Sequence, residues 1–153
     1  MIEYADSRPV PIEVLLVDDN PGDVRLTREA MKDAKIHFGL HVSRDGVDAM
    51  AFLKREGAHF NAPSPDLILL DLNLPRMDGH EVLKGIKGCA ILATIPVVIL
   101  TSAVATHDLM GNSHVHANGY LAKPVSAGGL LKVVQSFGNF WFTVVKLPRE
   151  QVA

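Results

Sequence analysis

The sequence predicts a doubly wound α/β domain, in which a five-stranded parallel sheet alternates with five helices. Three observations carry this. Short apolar runs at Ile12–Val17, His37–Ser43, Asp66–Leu70, Ile95–Thr101 and Tyr120–Ala122 alternate with helix-like patterns, as in chains of βα units. The best of these runs are nearly continuous in Val, Ile and Leu, which suits strands covered on both faces. No repeat and no linker-like stretch breaks the alternation, and 153 residues suit one hydrophobic core.

The elements follow in order. Ile12–Val17 (IEVLLV) is a buried strand that ends in Asp18-Asp19-Asn20-Pro21-Gly22. Asn20 is a good N-cap and Pro21 a good first helical residue, so a helix runs from there to about Ala34. His37–Ser43 is a weaker strand, followed by a helix from Gly46 to Arg55 with Val47, Met50 and Ala51 near helical spacing. Glu56–Pro65, with Gly57, Pro63 and Pro65, reads as a polar loop. Asp66–Leu70 delivers Asp71 at its C-terminal end, and a short helix over about His80–Lys87 carries Val82, Leu83 and Ile86 on one side. Ile95–Thr101 contains the fourth strand. A helix between Ala105 and Ala117 is the weakest element, because Gly111 and Asn112 lower its propensity. Tyr120–Ala122 lies in a brief fifth strand, and Ser126 caps a last helix that runs to roughly Phe142.

Composition narrows the function. A formal net charge of −2 and the lack of a Lys/Arg run argue against nucleic acid as a partner. No apolar run is long enough to span a bilayer, and Met1–Pro11 lacks the apolar block of a signal peptide. The one cysteine, Cys89, cannot form an internal disulfide and reads as a spare thiol, which fits a reducing compartment. A soluble cytoplasmic protein with no membrane contact is expected.

In a doubly wound sheet the functional site lies outside the C-terminal ends of the strands. The residues there are Asp18, Asp19, Asp71, Thr101, Ser102 and Lys123. Three acids, two hydroxyls and an amine pack poorly but suit phosphate chemistry. Two unit charges about 4 Å apart repel by roughly 4 kcal/mol at an effective dielectric near 20. A divalent cation offsets that cost, and an oxygen-only donor set with open positions suits Mg²⁺. Asp19 and Asp71 are the expected direct ligands, with Asp18 binding directly or through water and the main-chain carbonyl of Asn73 as a further ligand. Helix capping alone does not explain Asp18 and Asp19, since Asn20 already serves as the cap. Asp71 is then the attacking carboxylate that forms an acyl phosphate. Lys123 supplies positive charge to the phosphoryl oxygens, Thr101 a hydroxyl hydrogen bond and Ser102 a backbone N–H.

Over Glu13 to Phe137 the chain resembles the receiver domain of two-component response regulators. The residues that carry the resemblance are Asp18-Asp19, the stretch D-L-N-L-P-R-M-D-G from Asp71 to Gly79, Thr101-Ser102, Tyr120 and Lys123-Pro124. Singly these are weak signals, but together and in order they are specific. The resemblance implies a flavodoxin-like strand order of 2-1-3-4-5, a phosphohistidine donor on a sensor histidine kinase, Mg²⁺ dependence and slow self-dephosphorylation rather than enzymatic turnover. It also implies a switch in which Thr101 moves toward the phosphate and Tyr120 turns inward. By the same analogy Asn73 and Ala103 flank the path of an attacking water, which implies neither extreme protection nor extreme lability of the acyl phosphate.

The whole of 1–153 is read as one receiver domain, with a core of about 11–138 and a C-terminal extension over 139–153. From Leu130 to Val145 the apolar residues make a stripe too broad for one buried face. A homodimer is expected there, with Phe137, Phe140, Trp141 and Phe142 as contact residues; the alternative is that Phe140–Leu147 folds back on its own core. The long Glu56–Pro65 loop and the F-W-F-T-V-V-K-L-P ending resemble the small regulators paired with bacterial phytochrome kinases.

Rival readings are weaker. Asn73 stands where a haloacid-dehalogenase-type phosphatase needs its second acid, and a degenerate receiver would have lost Asp71, the acidic pair or Lys123. His114 and His116 lack an evident third metal ligand. His80 is read as a surface helix start, and Asp78 as a turn or cap residue.

Overall fold

The protein is described by a computed structural model over residues 11–72, 74, 77–101 and 118–136. Strand β1 (Ile12–Val17) leads to helix α1 (Pro21–Asp33), β2 (Phe38–Ser43) to α2 (Gly46–Lys54), and β3 (Leu67–Asp71) to α3 (Gly79–Lys87). Strand β4 (Val97–Thr101), β5 (Gly119–Ala122) and a last helix, α4 (Ala127–Ser136), complete the order. Among the described residues the sheet has the order β2-β1-β3-β4-β5, with every neighbouring pair parallel. Four of the five expected helices are present in these residues. The one expected between Ala105 and Ala117 lies outside them, as does the end of the last helix beyond Ser136.

Alternation along the strands builds two cores from one sheet, because successive side chains leave opposite faces. Leu15, Val17, Ile68, Leu70, Val97 and Ile99 pack on one face with Met50, Phe52 and Leu53 of α2 and Val82, Leu83 and Ile86 of α3. Val14, Leu16, Leu67, Leu69, Val98 and Leu100 pack on the other with Ala30 and Met31 of α1 and Leu130 of α4. Strands β3 and β4, adjacent in the interior of the sheet, are buried along their whole length. Each such aliphatic side chain contributes about 1.5–3 kcal/mol on burial, so the strand ends that bear the polar residues stand on a rigid base.

Local chemistry sets the boundaries. Asn20 caps α1 by accepting the Asp23 N–H at 3.0 Å, with Pro21 in the first turn. Asp78 caps α3 in a capping box with Glu81, which gives Asp78 the cap role expected of it. Helix α3 begins at Gly79, one residue earlier than expected. Strand β3 begins at Leu67 rather than Asp66. The Asp66 main chain donates to the Glu13 carbonyl at 2.7 Å while its side chain accepts the Glu13 N–H at 2.8 Å, so Asp66 caps the strand pair. The Glu56–Pro65 loop contains a 3₁₀ turn, Gly57–His59, pinned by a 2.7 Å contact between His59 Nε2 and Asp48 Oδ1. A second 3₁₀ turn, Leu92–Thr94, leads into β4, which occupies Val97–Thr101 within the expected Ile95–Thr101.

Candidate functional site

The C-terminal ends of β1, β3, β4 and β5 bring together Asp18, Asp19, Asp71, Thr101 and Lys123. Ligand oxygens of Asp18, Asp19 and Asp71 all lie within 4.8 Å of one another. Asp18 is wholly buried, Asp71 and Thr101 are nearly so, and Asp19 is exposed at the mouth. The floor is therefore buried and lined by carboxylates, and the rim is exposed.

The buried carboxylates are held rigidly. Asp18 donates its N–H to the Ser43 carbonyl at 3.0 Å, and its Oδ1 accepts the Asn20 N–H at 3.0 Å. The other oxygen, Oδ2, lies 3.2 Å from Lys123 Nζ but is not aligned for a hydrogen bond. Burial raises the Asp18 carboxyl above the ordinary 3.8, and the nearby Asp71 charge pushes the same way against the Asn20 N–H and Lys123. Gly79 fixes the far side. Its N–H donates to the Leu72 carbonyl at 3.1 Å, and a Cβ there would overlap the Leu72 Cα and the Asp71 carbonyl oxygen.

Lys123 enters from the end of β5, where its backbone N–H donates to the Thr101 carbonyl at 2.7 Å. Its ammonium donates to Asp71 Oδ2 at 2.8 Å and to Asp23 Oδ2 at 2.9 Å, both within the range of charge-assisted hydrogen bonds. Burial alone would lower its pKa, but the bonds to Asp71 and Asp23 and the charges of Asp18 and Asp71 outweigh it. The group is held above its ordinary value and stays charged.

A hard divalent cation fits these residues. The donors are carboxylate oxygens, and the buried Asp18 Oδ2 accepts no hydrogen bond among the described residues, although the Lys123 ammonium lies 3.2 Å away. Tyr120 pairs with Ile99 in the sheet and is half-buried against the α2–α3 core. Asn73 and Ser102 lie outside the described residues, as do Phe137, Phe140, Trp141, Phe142, Ala103, His107, His114 and His116. His80 is exposed and donates its N–H to Asp78 Oδ1, as expected of a surface helix start. Cys89 is half-buried against the α2–α3 core.

Asp23 is the residue that sequence reasoning missed. An acid in the first turn of a helix is ordinarily explained by the helix dipole, and that explanation hides a contact made 100 residues away. The available signal was its place in D-D-N-P-G-D: once Asn20 and Pro21 fix the helix start, Asp23 lies on the turn nearest the strand ends.

The description "response regulator receiver domain" belongs to the family model that matches residues 14–135. Response regulator Rcp1 of Synechocystis sp. is 44% identical over 144 residues, covering 94% of this chain and 98% of that protein. The structure of the phosphorylated cyanobacterial phytochrome response regulator RcpA is 40% identical at a TM-score of 0.71, covering 91% of this chain and 99% of that one. The Mn²⁺-bound form of Rcp1 is 45% identical at a TM-score of 0.69, covering 90% and 99%. Among the described residues, no helix is long and apolar enough to cross a membrane.

Proposed function

The chain belongs to the response regulator receiver domain family, and from that membership we propose that Asp71 accepts a phosphoryl group from a sensor histidine kinase. The observation that carries the reading is the convergence at Asp71. Lys123 Nζ is 2.8 Å from its Oδ2, and the ligand oxygens of Asp18, Asp19 and Asp71 lie within 4.8 Å of one another.

An Asp71 carboxylate oxygen attacks the phosphorus of the donor. The bond from phosphorus to the donor's imidazole nitrogen breaks, its electron pair leaves with the imidazole, and a mixed anhydride remains on Asp71. Little covalent work falls to the other residues, whose task is to meet developing charge with groups already in place. Lys123 meets the phosphoryl oxygens with a fixed positive charge. Thr101, buried beside the acceptor strand, supplies a hydroxyl donor, and Ser102 supplies a backbone N–H. Asp18, Asp19 and Asp71, with the Asn73 carbonyl, would hold Mg²⁺, which supplies neutralisation of the phosphoryl oxygens when bound.

In this reading the protein is a phosphoacceptor that dephosphorylates slowly rather than a turnover enzyme. Its output is a switch: Thr101 moves toward the phosphate and Tyr120 turns inward, altering partner binding or dimerisation. The likeness to the cyanobacterial phytochrome response regulator RcpA supports a phytochrome-type kinase as the donor, and the reading places both proteins in the cytoplasm. The apolar stripe with Phe137, Phe140, Trp141 and Phe142 supports a homodimer, with 139–153 as an extension of a single receiver domain. Neither nucleic acid nor membrane has a part in this function. Phosphotransfer from an autophosphorylated phytochrome histidine kinase tests the assignment. Label passes to the wild type and not to Asp71→Asn, and equal labelling of the two overturns it.

A further inference from the structure

The Lys123 ammonium has a partner that none of the receiver motifs in this sequence marks. Asp23 Oδ2 lies 2.9 Å from Nζ, nearly as close a contact as the 2.8 Å to Asp71. The Asp23 carboxylate is not needed to start its own helix, because the Asn20 side chain already accepts the Asp23 N–H. Nor is it one of the three carboxylates whose ligand oxygens converge. Its carboxylate instead reaches from the first turn of α1 across to Lys123 at the end of β5.

We propose that Asp23 is a positioning residue that holds the Lys123 ammonium for phosphoryl transfer, an inference that rests on the reading of Asp71 as phosphoacceptor. A lysine stem of four carbons is flexible, and its charge helps only if it is in place when the phosphoryl charge develops. Two of its three carboxylate partners, Asp71 and Asp18, belong to the acceptor and metal groups. Asp23 pulls from the α1 side, so the ammonium, already in contact with Asp71 and Asp18 on the floor, is tethered from a third direction as well. When Asp71 becomes an acyl phosphate, the Asp23 bond persists and keeps one N–H direction fixed while another turns to the new oxygens.

A double-mutant cycle on the full chain, read as the rate of phosphoryl uptake from acetyl phosphate at saturating Mg²⁺, tests this. Asp23→Ala slows uptake by about tenfold, the scale of one charge-assisted hydrogen bond. In a Lys123→Ala background the same change alters the rate by less than about twofold, because the partner it acts through is gone. Equal slowing in both backgrounds indicates a merely structural role and overturns the proposal, as does an unslowed Asp23→Ala. If Asp23→Ala melts low, Asp23→Ser, too short to reach Nζ but at home in a first helical turn, replaces it in the cycle. A wild type that takes up no phosphoryl removes the premise and the inference with it. Uptake by the wild type with no slowing in the variant removes the inference alone.

Discussion

Gly79 and Leu72 are in backbone contact: the Gly79 N–H donates to the Leu72 carbonyl at 3.1 Å, and no Cβ fits between the two main chains. The start of α3 is thereby pressed against the end of the strand that carries Asp71. Gly79→Ala must push them apart. The expected cost is about 1–3 kcal/mol of stability, the range for overpacking, together with slower phosphoryl uptake as Asp71 shifts. Urea unfolding and uptake from acetyl phosphate check the two effects on one variant.

The buried charge of Asp18 is held at the expense of stability. Its folded-state pKa is raised above 3.8 by burial, so the folded form binds the proton more tightly than the unfolded one. Protonation therefore favours folding as pH falls through the folded value toward 3.8, and the cost is fully present above the folded value. Asp18→Asn keeps the oxygen that accepts the Asn20 N–H and removes the charge. Without metal at neutral pH it is expected to be more stable than the wild type by about 1 kcal/mol, an advantage that shrinks as pH falls. Chemical denaturation across pH measures this difference directly.

Mg²⁺ should invert that order. A ligand that binds only the folded form adds about 2.7 kcal/mol at a hundredfold excess over its dissociation constant. Thermal melts with increasing Mg²⁺ are expected to raise the midpoint of the wild type and to leave Asp18→Asn and Asp19→Asn nearly unmoved. An equal rise in all three would place the cation elsewhere.

Most of this architecture is legible in the residues themselves, and the misses have physical causes. Strand β1 and the start of α1 follow from an unbroken apolar run and an Asn-Pro cap, both local signals. The start of β3 moved by one residue because Asp66 spends its hydrogen bonds on Glu13, 53 residues away. The 3₁₀ turns at Gly57–His59 and Leu92–Thr94 leave little mark in hydrophobic period. At the site, strand-end placement exposed Asp18, Asp19, Asp71, Thr101 and Lys123 together, because topology gathers whatever follows each strand. Asp23 sits in a helix, and only the folded chain shows its carboxylate facing Lys123. The necessity of Gly79 is likewise a matter of main-chain proximity that spacing alone does not express.

Lys123 places its positive charge 2.8 Å from Asp71 Oδ2, the proposed phosphoacceptor. Lys123→Ala is expected to slow uptake from acetyl phosphate by about a hundredfold, the scale of losing one preorganised electrostatic partner. Lys123→Arg restores charge but not the compact three-way contact with Asp18, Asp23 and Asp71, and is expected to recover only part of the rate. Stopped time courses resolved by intact mass distinguish the three proteins.

The central claim is that Asp71 is the phosphoacceptor and that acceptance needs a divalent cation. Intact mass after incubation with acetyl phosphate, with and without Mg²⁺, for wild type and Asp71→Asn, tests it most directly. The account predicts a gain of one phosphoryl group in the wild type with Mg²⁺, and none without the cation or in Asp71→Asn. A folded wild type that gains no mass under these conditions, or an Asp71→Asn that gains as much as the wild type, would contradict it.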